Sequence, residues 1–93
     1  MSAAPMPVPT SGNNMSPMAR AARRLILLDR AKTALGGAEK LGEAIGVSRR
    51  AVSHKLANDR TLTDFELKLA ADAVEAKAAE LRGLAADLRA MLP

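Results

Sequence analysis

The amino-acid sequence predicts an all-α fold of four or five helices, and three observations carry this prediction. Residues that typically begin helices, Ser16-Pro17 and Ser48, each precede a stretch with apolar residues at helical spacing. Glycines that typically end helices, Gly36-Gly37 and Gly46, interrupt that pattern twice. Apolar residues then recur at alternating spacings of three and four from Leu67 to Met91, which is typical of a long helix.

Length and composition restrict the classes of protein that the sequence can encode. A chain of 93 residues allows one small domain. The chain has no cysteine and one histidine, His54, which excludes disulfides, thiol nucleophiles and His-rich metal sites. Since no paired acids, nucleophile–base pair or phosphate-binding glycine loop stands out, we expect no enzyme activity, no metal and no cofactor. Phe65 is the only aromatic residue, and we expect it to anchor a core of Leu, Ile, Val and Ala.

Positive charge is concentrated in the middle of the chain. The formal charge of the whole chain is +4. Residues 18–60 contain ten bases and four acids, a net charge of +6, whereas residues 61–93 contain four bases and six acids, a net charge of −2. This distribution indicates an anionic partner for the middle of the chain only, either nucleic acid or a membrane surface.

The first 15 residues differ in composition from the rest. They carry no charged side chain, contain three prolines and end in a polar stretch, so we interpret residues 1–15 as a disordered tail. They lack the charged start and apolar run of a secretory signal. The longest apolar run of the chain, residues 25–28, is far shorter than the ~20 residues that span a bilayer. We therefore expect a cytoplasmic protein without a membrane partner.

The first helix is predicted from Pro17 to Leu35. Ser16 is the expected N-cap, proline suits the first helical position, and Gly36-Gly37 end the helix. Its apolar face centres on Leu25, Leu28 and Ala31. Three arginines share another face near its start and are candidates for contacts with a nucleic-acid backbone: Arg20, Arg23 and Arg24.

Two short helices and a longer one follow. The short helices are predicted at Ala38–Ile45 and Arg49–Ala57, the second with Ser48 as its N-cap. Gly42 lies between two apolar residues of the first short helix, where a larger side chain would prevent another helix from packing closely. The sequence Thr63-Asp64-Phe65-Glu66 is a capping box, so a fourth helix is predicted to begin at Asp64.

The two short helices carry the functional signal. A helix-turn-helix needs a small residue in its first helix, a glycine in the tight turn and apolar residues that hold the pair together. Residues 40–53, which read KLGEAIGVSRRAVS, resemble the lambda-repressor/Cro-like helix-turn-helix family, and the likeness covers roughly residues 18–75. One position departs from the family pattern, since Lys55 stands where an apolar residue is usual. We expect Leu56 to take over the packing and Lys55 to turn toward solvent or a phosphate.

This resemblance implies a DNA-binding domain at residues 16–75 whose third helix enters the major groove. Arg49 and Arg50 then occupy positions that reach base edges, where an arginine suits a guanine. Ser48 can offer its hydroxyl and the helix N-terminus to a phosphate. The complete set of predicted DNA-binding residues is Ser48, Arg49, Arg50, Ser53, His54, Lys55, Arg60 and Thr61.

The last part of the sequence, residues 76–93, is predicted to be a helical extension. Its seam of apolar residues, interrupted only by Lys77, favours either of two arrangements. In one, a single helix runs from Asp64 to Leu92 and its C-terminal half pairs with the same half of a second chain. In the other, the chain bends near residues 77–79 and folds back as a fifth helix. We favour self-association, through the side chains of Leu81, Leu84, Leu88 and Met91.

These observations predict a sequence-specific transcriptional regulator of a bacterium or phage, binding double-stranded DNA as a homodimer on an inverted repeat. The sequence does not distinguish a repressor from an activator that contacts RNA polymerase. Two other functions fit the same residues. One is an architectural DNA-binding protein of low specificity. The other is a protein-interaction adaptor, such as an antitoxin or a polymerase-associated subunit, whose heptad helix holds the partner.

Overall fold

The computed structural model describes residues 16–58 and 61–93, and these residues form four helices with no strand. The prediction of an all-α chain is confirmed. The helices are α1 (Pro17–Leu35), α2 (Ala38–Ile45), α3 (Arg49–Ala57) and α4 (Asp64–Ala90). The predicted tail, residues 1–15, lies outside the described residues.

Local side-chain chemistry places the helix ends where the sequence predicts them. The Ser16 hydroxyl accepts a hydrogen bond from the backbone N–H of Ala19 at 3.1 Å, and Gly36 ends α1 with a φ of 107°. At the start of α4, the Thr63 hydroxyl accepts from the N–H of Glu66 at 3.1 Å. The Glu66 carboxylate accepts in return from the N–H of Thr63 at 3.0 Å, which completes the capping box.

The buried core draws on all four helices and on the link before α4. Leu41 and Val52 are wholly buried where α2 and α3 meet, and Leu28 of α1 lies against them in the same cluster. Burying side chains of this size is the main stabilising contribution in a domain this small. The full set of buried apolar residues is Leu28, Leu41, Ile45, Val52, Leu62 and Ala70.

Phe65 does not belong to this core, so the expectation that it anchors the core is wrong. Its side chain is 66% exposed. On the first turns of α4, Leu67, Leu69 and Ala70 supply the contacts with the core, and Phe65 does not. The core therefore contains aliphatic side chains only.

Gly42 allows the turn between α2 and α3 to lie directly against α2. Its carbonyl oxygen accepts hydrogen bonds from the N–H groups of Gly46 at 2.8 Å and Val47 at 2.9 Å. A Cβ atom at position 42 would lie 2.6 Å from the carbonyl oxygen of Val47. The close neighbour of Gly42 is thus the backbone of the turn. Gly46 ends α2 with a φ of 82°, in the left-handed region that glycine adopts without strain.

Helix α4 is continuous over 27 residues, about 40 Å, so of the two predicted arrangements the chain does not adopt the one with a bend near residues 77–79 and a separate fifth helix. It also crosses the predicted domain boundary after residue 75 without a break. Every residue from 79 to 93 is exposed except Ala85. The four residues predicted to mediate self-association are between 51% and 81% exposed: Leu81, Leu84, Leu88 and Met91.

Candidate nucleic-acid interface

One side of α3 is polar and open to solvent. Its N-cap, Ser48, is exposed, and its hydroxyl accepts a hydrogen bond from the N–H of Ala51 at 3.1 Å. Successive helical residues are turned by about 100°, so the exposed polar side chains fall within an arc of about 140°. Val52 and Lys55, on the opposite side, are buried. The exposed polar residues of this arc are Arg49, Arg50, Ser53 and His54.

The two arginines of this arc make no ion pair with any residue of the described ranges. Both lie in the first turn of α3, at the end where backbone N–H groups and the helix dipole favour an anion. The Ser53 hydroxyl already has a partner within α3, because it donates to the carbonyl oxygen of Arg49 at 3.4 Å. The first turn of α3 thus presents two exposed cations and a capped helix N-terminus to solvent.

Lys55 does not share this surface, and the expectation that it turns toward solvent or a phosphate is wrong. The residue is only 8% exposed. Its ammonium donates to the carbonyl oxygen of Thr61 at 2.5 Å and lies 3.0 Å from the Glu66 carboxylate. A buried ammonium requires such partners because removing a charge from water is costly. Leu56 packs against the core beside Lys55 and does not replace it.

Glu66 therefore has two roles, as the capping residue of α4 and as the counter-ion of Lys55. Burial raises the pKa of its carboxyl, but hydrogen bonds from the Thr63 backbone and from Lys55 outweigh burial. The net effect holds the pKa below its ordinary value of 4.5. The capping role could be predicted from the sequence. The ion pair has a weaker signal, namely a lysine at a position where the helix-turn-helix family that residues 40–53 resemble usually has an apolar side chain.

This depressed pKa predicts an acid-sensitive contribution to stability. Because the folded pKa of Glu66 lies below its unfolded value, the unfolded state takes up the proton first as the pH falls. The stabilisation is present above about pH 4.5 and is lost as the pH falls through the folded pKa. Urea unfolding at pH 7, 4 and 3 should show the native chain converging on Glu66→Gln, which keeps the capping group. A constant difference in free energy across this range would contradict the assignment.

The α1 arginines divide into two kinds. Arg24 is held within the fold, with its guanidinium 2.8 Å from the Asp64 carboxylate and 2.6 Å from the carbonyl oxygen of Leu62. The hydrogen bond from Arg24 and its positive charge lower the pKa of the Asp64 carboxyl below its usual 3.8. Arg24 thus joins α1 to the start of α4 and does not face outward as predicted. Arg20 and Arg23 are exposed.

The remaining predicted contact residues lie at the link between α3 and α4. Thr61 is exposed, and its carbonyl oxygen is the acceptor for Lys55. Arg60 lies outside the described residues. Within residues 16–58 and 61–93, no group of His, Cys, Asp or Glu side chains could hold a metal ion. None of the helices in those ranges is both long and apolar enough to cross a membrane.

The exposed arc of α3 and its close packing on α2 are the main features of this candidate interface. No protein-family model, curated protein sequence or solved structure matches the chain.

Proposed function

We propose that this chain is a sequence-specific DNA-binding transcriptional regulator, with α2 and α3 as a helix-turn-helix and α3 as its recognition helix. The observation that carries the proposal is the exposed arc of α3, where the two arginines of the first turn form no ion pair within residues 16–58 and 61–93. A helix is narrow enough to enter the major groove of B-DNA. The opposite side of α3 is fixed to the rest of the fold through Val52 and Lys55.

The roles of the α3 side chains follow from their chemistry. Arg49 and Arg50 are assigned to base edges, because a guanidinium can donate two hydrogen bonds to a guanine. Ser48 and the N-terminal amides of α3 are assigned to a phosphate. Ser53 and His54 extend the same face one turn further. Lys55 is excluded from the interface by its ion pair with Glu66.

We expect Arg49→Ala and Arg50→Ala each to weaken binding to the preferred duplex by about 1–3 kcal/mol. The preferred duplex is first selected from a random pool with the native chain, and affinities are then measured by fluorescence anisotropy at several salt concentrations. Arg89→Ala is the matched control, since it removes the same charge from the exposed last turn of α4. If Arg89→Ala weakens binding as much as the α3 variants do, net charge and not base reading explains the affinity.

The same measurement separates a regulator from an architectural protein. A regulator should bind its selected duplex about 10³-fold or more tightly than a scrambled duplex at the same salt concentration. An architectural protein would bind both alike, with an affinity that still falls steeply with salt. Failure to bind any duplex would leave the adaptor function as the better explanation of the fold.

Self-association belongs to this proposal. The C-terminal half of α4 leaves Leu81, Leu84 and Leu88 more than half exposed. Apolar side chains repeated at this spacing favour helix pairing. A dimer with two-fold symmetry would place two α3 helices on an inverted repeat, with half-sites separated by about 34–36 Å or a multiple of it.

A further inference from the structure

An apolar groove of about 480 Å³ runs between α1 and α4. Leu27 and Ala31 line it from α1, and Leu67, Ala71 and Val74 line it from α4. The small side chains of Ala31 and Ala71 leave room within it, and on α4 Ala71 lies between the larger Leu67 and Val74. The groove is therefore shaped to receive a helix that carries a large apolar side chain at its centre.

The seam formed by Leu81, Leu84 and Leu88 follows on the same helix and fits that description. Its spacing of three and four matches the spacing of Leu67, Ala70 and Val74 in the groove, over the same two helical turns. No other described element covers this part of α4, where the residues from 79 onward are exposed apart from Ala85. A short helical segment that packs against nothing, such as residues 79–90, is only marginally stable in water. A surface that covers its apolar side would therefore stabilise it.

We propose that the occupant of the groove is the C-terminal half of α4 from a second copy of this chain. In this arrangement the two α4 helices run antiparallel and cross near Ala78. The seam of each chain then lies in the groove of the other, and both apolar surfaces of both chains are covered by one two-fold interface. The inference rests on the proposed self-association and specifies its surfaces. It differs from pairing between the two C-terminal halves, which would leave both grooves open.

The charges along α4 fit an antiparallel crossing at this point. Glu75 lines the groove and has no ion-pair partner in the described ranges, and Arg82, next to Leu81 of the seam, has none either. A crossing near Ala78 brings Glu75 of each chain beside Arg82 of the other, twice in the dimer. Lys77, which interrupts the apolar seam, lies at the crossing. It pairs with Glu80 of its own chain, and in the proposed dimer Glu80 of the second copy is also within its reach.

Cysteine cross-linking tests the arrangement, because the native chain has no cysteine. Ala71→Cys lies in the groove and Ala85→Cys beside the seam, at equal distances from the proposed crossing. A mixture of these two single variants, oxidised without DNA, should form the mixed disulfide dimer, and neither variant alone should cross-link efficiently. Efficient cross-linking of Ala85→Cys with itself would instead show that the C-terminal halves pair with each other, and would overturn the proposal.

A charge exchange gives a second readout that leaves the apolar surfaces intact. Glu75→Arg and Arg82→Glu should each weaken dimerisation about tenfold in sedimentation equilibrium, because two attractive pairs become repulsive. The double variant Glu75→Arg/Arg82→Glu should return to near the native dissociation constant. No recovery in the double variant, with circular dichroism showing native helix content, would overturn the proposal. A native chain that stays monomeric would overturn both this inference and the proposed homodimer, whereas DNA binding is tested separately.

Discussion

Replacing Lys55 by methionine is expected to destabilise the chain by about 3 kcal/mol, in the range for breaking a buried ion pair. The substitution keeps an unbranched side chain of similar length but leaves the Glu66 carboxylate, only 13% exposed, without its ammonium partner. It also leaves the carbonyl oxygen of Thr61 without its donor. Urea unfolding followed by circular dichroism at neutral pH measures the loss.

Lys68→Met is the matched control for this prediction. The Lys68 ammonium lies 3.0 Å from the Asp72 carboxylate, the same separation as in the Lys55–Glu66 pair. Both members of the Lys68–Asp72 pair, however, are exposed. An exposed pair at this helical spacing contributes about 0.5 kcal/mol or less. The two substitutions are chemically identical, so the difference between them measures the burial of the Lys55–Glu66 pair together with the lost hydrogen bond to Thr61.

The double variant Lys55→Met/Glu66→Gln tests the mechanism of the loss. Glutamine retains the capping group but removes the buried negative charge, so the double variant should be more stable than Lys55→Met alone. If Lys55→Met were no more damaging than Lys68→Met, the ion pair would not stabilise the link between α3 and α4. An additive double variant would show that Lys55 and Glu66 are not coupled.

Gly42→Ala is expected to destabilise the chain by about 3 kcal/mol, the upper part of the range for overpacking. The new Cβ would lie 2.6 Å from the Val47 carbonyl oxygen, which belongs to the backbone and cannot rotate away. Relieving this contact requires the turn to move off α2, which also disturbs the two hydrogen bonds to the Gly42 carbonyl. Because α3 follows this turn, DNA binding should weaken with stability.

Gly83→Ala is the control for Gly42→Ala, and it should have the opposite effect. Gly83 lies within α4, and nothing is within 4 Å of the position that its Cβ would take. Alanine there should stabilise the helix by about 0.5–1 kcal/mol, the usual difference between the two residues inside a helix. A stabilising effect at both positions would mean that the turn does not press against Gly42.

The boundaries of the helices could be predicted from the sequence because the signals that set them are local. The Ser16, Ser48 and Thr63 hydroxyls each cap the N-terminus of the helix that follows, and an acceptor three residues from its donor is visible in the chain itself. Gly46 was likewise predicted to end α2, and it does so with a positive φ. The sequence could not decide between a continuous α4 and a bend near residues 77–79, since Lys77 interrupts the apolar seam and both arrangements fitted the spacing.

Errors in the predicted site share one physical cause, which is tertiary pairing of charges. Periodicity correctly separates the outward side of α3 from Val52, so the exposure of Arg49 and Arg50 could be predicted. The inward orientation of Lys55 and Arg24 could not be predicted. The partner of Lys55, Glu66, lies beyond the link between α3 and α4, and the partner of Arg24, Asp64, is 40 positions away in the chain. A cation next to apolar residues in a sequence is assigned to solvent unless its distant counter-ion is known.

The short stretch from Thr61 to Glu66 receives Arg24 from α1 and Lys55 from α3, and α4 continues from it without a break. Each α4 can therefore act as a lever joined to α3, the proposed recognition helix, of its own chain. From the proposed crossing near Ala78 to Asp64 the lever is about 21 Å long. A 10° change in the crossing angle would move its far end by about 4 Å, close to the 3.4 Å rise of one base pair. The angle between the two levers would thus select the separation of half-sites that the dimer can read.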